Sequence, residues 1–163
     1  HEGFWFLCSR FESWYPSNCL KPPNFGGFLL YRLYSGVMQT AAISLIVVLA
    51  LVSMFQLAVV LGAPLGEYVS GGQTPGKLTP RLRVASGVSI LIYAAIVGHL
   101  LAQLGVVPML FDGRFNALGN WGVVGIFGAS LALNAMSKSK KERQLWVPVL
   151  LLSVVLAIIV ALA

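Results

Sequence analysis

The sequence predicts an all-α membrane protein, four transmembrane helices in an antiparallel up-down bundle, and three observations predict it. Composition comes first: of 163 residues 58% are hydrophobic and only 10% charged, with a mean hydropathy of +0.84, whereas charged residues approach a quarter of a soluble domain. The second is a pair of runs without a charge, residues 41–61 (AAISLIVVLALVSMFQLAVVL) and 84–104 (VASGVSILIYAAIVGHLLAQL). At about 1.5 Å per residue each reaches roughly 30 Å, the thickness of a hydrocarbon core. The third is the polar interval between them, residues 62–83, with three prolines, five glycines, Glu67, Lys77, Arg81 and Arg83. Such a stretch cannot lie in hydrocarbon, where unpaired backbone groups cost several kcal/mol each. It therefore joins two spans.

The domain division follows: residues 1–37 as an irregular aromatic-rich arm, residues 38–163 as the transmembrane domain, with spans at about 41–61, 84–104, 121–136 and 146–163. The arm holds ten of the eighteen aromatics and both cysteines, and no helical or strand period runs through it. Two readings stand side by side. Translation starts at Met38 and the preceding segment is foreign, or the arm is native and lies among headgroups, where Trp and Tyr are favoured. Cys8 and Cys19 have neither a redox nor a zinc spacing; a disulfide requires that both face an oxidising side.

In the first span Ser53 and Gln56 share a side of the helix and Ser44 falls roughly opposite. Such a pair usually satisfies itself against a neighbouring helix. Thr79-Pro80 reads as a helix start, a capping threonine followed by a proline whose missing N–H costs nothing there, with Arg81 and Arg83 snorkelling toward phosphates. Glu67 either pairs with Arg81 or Arg83 or faces water. In the second span His99 and Gln103 are one turn apart. A histidine in a bilayer is a functional hypothesis by default, for titration, quinone binding or haem ligation, against the plainer expectation of a hydrogen bond to Gln103 or interfacial water.

Residues 105–119 read as a short loop with Asp112-Gly113 as its turn. The third span carries a row of small residues, Gly122, Gly125, Ala129 and Ala132, at the spacing that lets a second backbone approach closely. Ser130 and Asn134 lie on another side, so the helix is expected at the centre of the bundle, Asn134 donating a hydrogen bond across helices. The run SKSKKERQ follows, with Lys138, Lys140, Lys141 and Arg143 facing lipid phosphates. Trp146 marks the interface, and Pro148 falls in the first turn of the last span.

Charge counting sets the topology. The first and third connections carry seven Lys or Arg (Lys77, Arg81, Arg83, Lys138, Lys140, Lys141, Arg143), the other side Arg114, joined by Arg10, Lys21 and Arg32 where the arm is native. The basic loops are thus expected in the cytoplasm and both termini outside. That also accounts for the net charge of +6 without nucleic acid. The runs GAPLGEYVSGGQTPGKLTPRLRVAS, FNALGNW and NAMSKSKKERQLWVPV resemble a group of small bacterial four-helix membrane proteins with no established activity. The resemblance covers about residues 38–163; it implies this architecture and a bacterial cytoplasmic membrane, and supplies no catalytic residues.

For function, the sequence points to a structural or interaction protein of the cell membrane, an accessory subunit or self-associating bundle. The expected partners are the bilayer, anionic headgroups, and a second copy or another membrane protein. A small oligomeric transporter using Glu67 or His99 is the alternative, and a membrane redox or lipid-modifying protein a further one. The last lacks a paired histidine, a CxxC, a nucleophile with its base or an acidic metal cluster, so neither cofactor nor enzyme activity is expected.

Overall fold

A computed structural model describes residues 25–72, 74–109 and 113–162. The arm up to residue 24, with Cys8 and Cys19, lies outside them, as does Asp112. Four helices account for most of the rest: α1 Phe25–Val60, α2 Pro80–Gln103, α3 Gly113–Ala135 and α4 Lys140–Leu162. All four are long and apolar enough to cross a membrane, α4 the most apolar and α3 the least. The chain is an all-helical, multi-pass membrane protein in its described part.

Several boundaries differ from the sequence expectation, always because a helix outlasts its apolar run. α1 has 36 residues, about 54 Å of helix, and takes in residues 25–37, which lack an apolar period but contain no proline. α3 starts at Gly113, so that residues 113–119 are helix and not loop. α4 starts at Lys140, the basic run forming its first turn, and Pro148 lies well inside it. Apolar length measures the part of a helix in hydrocarbon; backbone hydrogen bonding continues into the headgroups.

Helix ends are closed by recognisable devices. At the end of α1, Gly62 has φ +93°, its N–H donates to Val59 O at 3.0 Å and the Ala63 N–H to Ala58 O at 2.9 Å, the paired bonds of a Schellman motif that needs glycine at the left-handed position. Gly105 repeats it after α2, with φ +72°. α2 begins after Thr79 as expected, but the threonine side chain makes no capping bond.

Each helix crosses the bilayer once, so helices consecutive in sequence run antiparallel. α1 packs on α2 and on α4, and α4 on α3, giving the spatial order α2, α1, α4, α3. The core is Ala41, Ala42, Leu45 and Leu49 of α1, Ile96 and Leu100 of α2, Val123 and Phe127 of α3, and Ala157 and Val160 of α4. Close approach of α1 and α4 thus rests on Ala41, Ala42, Ser153 and Ala157, all at most 4% exposed. Between Leu45, Leu100, Asn120, Val123, Ala157 and Val160 the helices close too tightly to admit a water molecule.

Candidate functional site

The expected packing row of α3 faces away from the bundle. Gly122, Gly125, Ala129 and Ala132 are all exposed, and a Cβ added at Gly122 or Gly125 would meet nothing within 4 Å. The face α3 turns inward is that of Asn116, Val123 and Phe127. The central position expected for this helix is not found: it contacts mainly α4. Spacing identifies a smooth face; which way that face points depends on where the large residues find partners. Asn134 is likewise corrected, because its Nδ2 donates to Ser130 O of its own helix at 2.8 Å.

Polar side chains collect at the two ends. At the end where α2 and α3 are joined, Gln103 is 5% exposed, and its Nε2 donates to Asn120 Oδ1. His99 Nε2 lies 2.9 Å from Asn120 Oδ1 and 2.9 Å from Gln103 Nε2. Three polar atoms in mutual contact can satisfy only two of their three pairings at once. With its proton on Nε2 the ring donates to Asn120; with Nε2 bare it accepts from Gln103. One proton therefore decides which contact is a hydrogen bond. The ring rests on Gly119, where a Cβ would come 2.9 Å from His99 Cε1, so glycine is what lets α3 approach α2 here. Asn120 is the member sequence reasoning missed, although its place four residues after the buried Asn116 on α3 put two amides on one face.

Gln56 stands beside the Tyr93 hydroxyl of α2, and its Oε1 is buried with no partner among the described residues. The expected Ser53 and Gln56 pair is thus at most half engaged: the amide meets α2, with one oxygen unpaired.

At the opposite end the long first connection is an ordered cap and not a bare hairpin. It makes two 3-10 turns, Gly66–Tyr68 and Ser70–Gly72, and docks on the start of α4. Ser139 caps α4: its Oγ accepts from the Glu142 N–H at 3.2 Å and donates to Glu67 O at 2.8 Å. In a complete capping box the Glu142 carboxylate would return to the Ser139 N–H. Instead it is buried, 7% exposed, and accepts from the Gly71 N–H at 2.8 Å and from Ser137 Oγ. The Gly71 N–H points there because Ser70, Gly71 and Gly72 all have positive φ, a run of left-handed backbone of the kind that gathers N–H groups around an anion. Trp146 Nε1 donates to Tyr68 O at 2.7 Å and its ring meets Phe55 edge to face at 4.9 Å.

Three of the charged residues assigned to lipid, Arg83, Lys141 and Arg143, therefore hold protein. Arg83 donates from Nε and Nη2 to Val60 O, at 2.8 and 2.5 Å, closing the last carbonyl of α1, and Arg143 donates to Ser137 O at 2.8 Å. Glu67 pairs with Lys141, not with Arg81 or Arg83. Lys77, Arg81, Lys138 and Lys140 remain exposed at this end, with no carboxylate partner among the described residues. The loop sequence could have given the Ser139 and Glu142 spacing, an S-x-x-E signal ahead of an apolar run, but not the diversion of Glu142 to another loop.

No protein-family model, curated protein or solved structure matches this chain. What the geometry defines is a class, a polytopic α-helical membrane protein with a latched loop cap at one end and a histidine-centred polar cluster at the other. Among the described residues no three metal-ligating side chains come together.

Proposed function

We propose that the chain is an interaction protein of the membrane, a rigid four-helix body whose third helix receives a transmembrane helix of a second copy or of a partner protein. The observation that carries this reading is the outward row Gly122, Gly125, Ala129 and Ala132, a smooth strip where another backbone gains dispersion and Cα–H contacts denied to bulky faces. The latched cap supports it, because a fixed body presents a fixed surface. Under the same proposal the basic loops face the cytoplasm, as their seven Lys and Arg favour.

Cross-linking tests the interface. With Cys8 and Cys19 replaced by serine, Ala129→Cys should give a disulfide-linked dimer or a partner adduct in oxidised native membranes, while Val155→Cys, on the outward side of α4, should not. Equal yields at both positions would remove the reading. In the same background, Lys140→Cys should react with a membrane-impermeant maleimide only after the cells are opened.

A second reading, a small transporter, is favoured by one observation, the polar cluster of His99, Gln103 and Asn120 with its two alternative hydrogen-bond patterns. Proton-coupled uptake into vesicles that is lost in His99→Ala and kept in Ala129→Leu would favour it over the first.

A further inference from the structure

A groove of about 480 Å³ runs between α1 and the last turns of α4, with Leu33, Gly36, Val37 and Ser44 on one wall and Leu156 and Ile159 on the other. It lies at the end of the molecule away from the loop cap. Thr40, also in the wall, turns its hydroxyl back to Gly36 O at 2.8 Å and so presents its methyl. A Cβ at Gly36 would touch nothing within 4 Å, leaving the wall open at that turn. Among the described residues the groove's one charged group is Arg32, at its outer end. Two residues further in, Tyr34 Oη donates to Leu162 O, which ties α1 to the end of α4 and sets this level at the interface, where tyrosine is favoured. The only described carboxylates, Glu67 and Glu142, belong to the opposite end.

We propose that this groove binds an anionic phospholipid of the leaflet away from the loop cap, one acyl chain along the α1–α4 wall and the phosphate on Arg32. Charge and shape select this occupant together. An apolar slot ending in a guanidinium that meets no carboxylate among the described residues complements a chain ending in an anion, and Arg engages phosphate oxygens in a bidentate fork. A helix is about 10–12 Å across and would fill such a volume with little more than one turn. A chain of methylenes runs its length. The site is independent of the α3 face.

The test places benzoylphenylalanine at Val37 of the full chain, in vesicles of equal phosphatidylglycerol and phosphatidylcholine with matched chains, and weighs the photoadducts. The expected products are phospholipid adducts enriched several-fold in phosphatidylglycerol. Arg32→Gln should bring that ratio to one with total lipid adduct kept, and Lys140→Gln should leave it unchanged. Peptide adducts, from residues 1–24 or from a second copy, would overturn the proposal. So would a ratio of one in the unaltered chain, or enrichment that survives Arg32→Gln.

Discussion

The two ends of the bundle solve the same problem differently. Each must finish helices in water or headgroups and satisfy their last polar groups. At the capped end the connection folds back, and Glu142, Ser139, Arg83 and Trp146 supply backbone partners between segments far apart in sequence. At the other end the connection after α2 makes no comparable set of bonds among the described residues, and α2 meets α3 through His99, Gln103 and Asn120. One end is held by many bonds to fixed backbone. At the other, one bond from Tyr34 to Leu162 O ties α1 to α4, and α2 meets α3 through three side chains with two ways to pair. The comparison teaches where rigidity sits: at the end whose bonds cannot be rearranged by moving one proton.

Substitutions at the capped end should therefore cost more. The largest effect is expected for Gly66→Val, since even a Cβ would lie 1.9 Å from Thr74 O and backbone cannot yield as a side-chain tip can. A loss of about 3 kcal/mol is expected in reversible unfolding in detergent. Glu142→Ala follows at about 2 kcal/mol, because it strands the Gly71 N–H and the Ser137 hydroxyl; Glu142→Gln should cost less, its amide oxygen still accepting one of them. At the other end Asn120→Ala should cost about 1 kcal/mol, within the range for side-chain bonds between membrane helices. Equal losses for Asn120→Ala and Glu142→Ala would erase the distinction between the ends. Smallest of all is Lys141→Ala, which removes the exposed pair with Glu67 and should leave the melting temperature unchanged.

Gly119→Ala should weaken the bundle through the ring it would strike, and His99→Ala should suppress most of that loss, so the two substitutions together should cost less than their sum. Additive losses would mean that the ring does not press on Gly119.

The architecture was legible early because the bilayer is a strict solvent: the uncharged runs had to be helices, and the polar interval after Leu61 had to be a connection. Boundaries were less so. Residues 25–37 and 113–119 are helical without an apolar run, and nothing forbids a helix from continuing past the hydrocarbon. The candidate site was legible in part. His99 and Gln103 share a face by helical spacing alone, but Asn120 reaches them only because Gly119 lets α3 come close.

What the sequence determined by itself is thus whatever depends on local chemistry against a known solvent: four spans, the polar connection after Leu61, the start at Pro80 and the charge difference between the loops. Only the tertiary structure decided direction and partnership. The row from Gly122 to Ala132 looks the same whether it faces in or out, and the packing of Asn116, Val123 and Phe127 turned it outward. Likewise a guanidinium can serve a lipid phosphate or a carbonyl with equal ease, and Arg83 took Val60 because the fold brought that carbonyl within 2.8 Å.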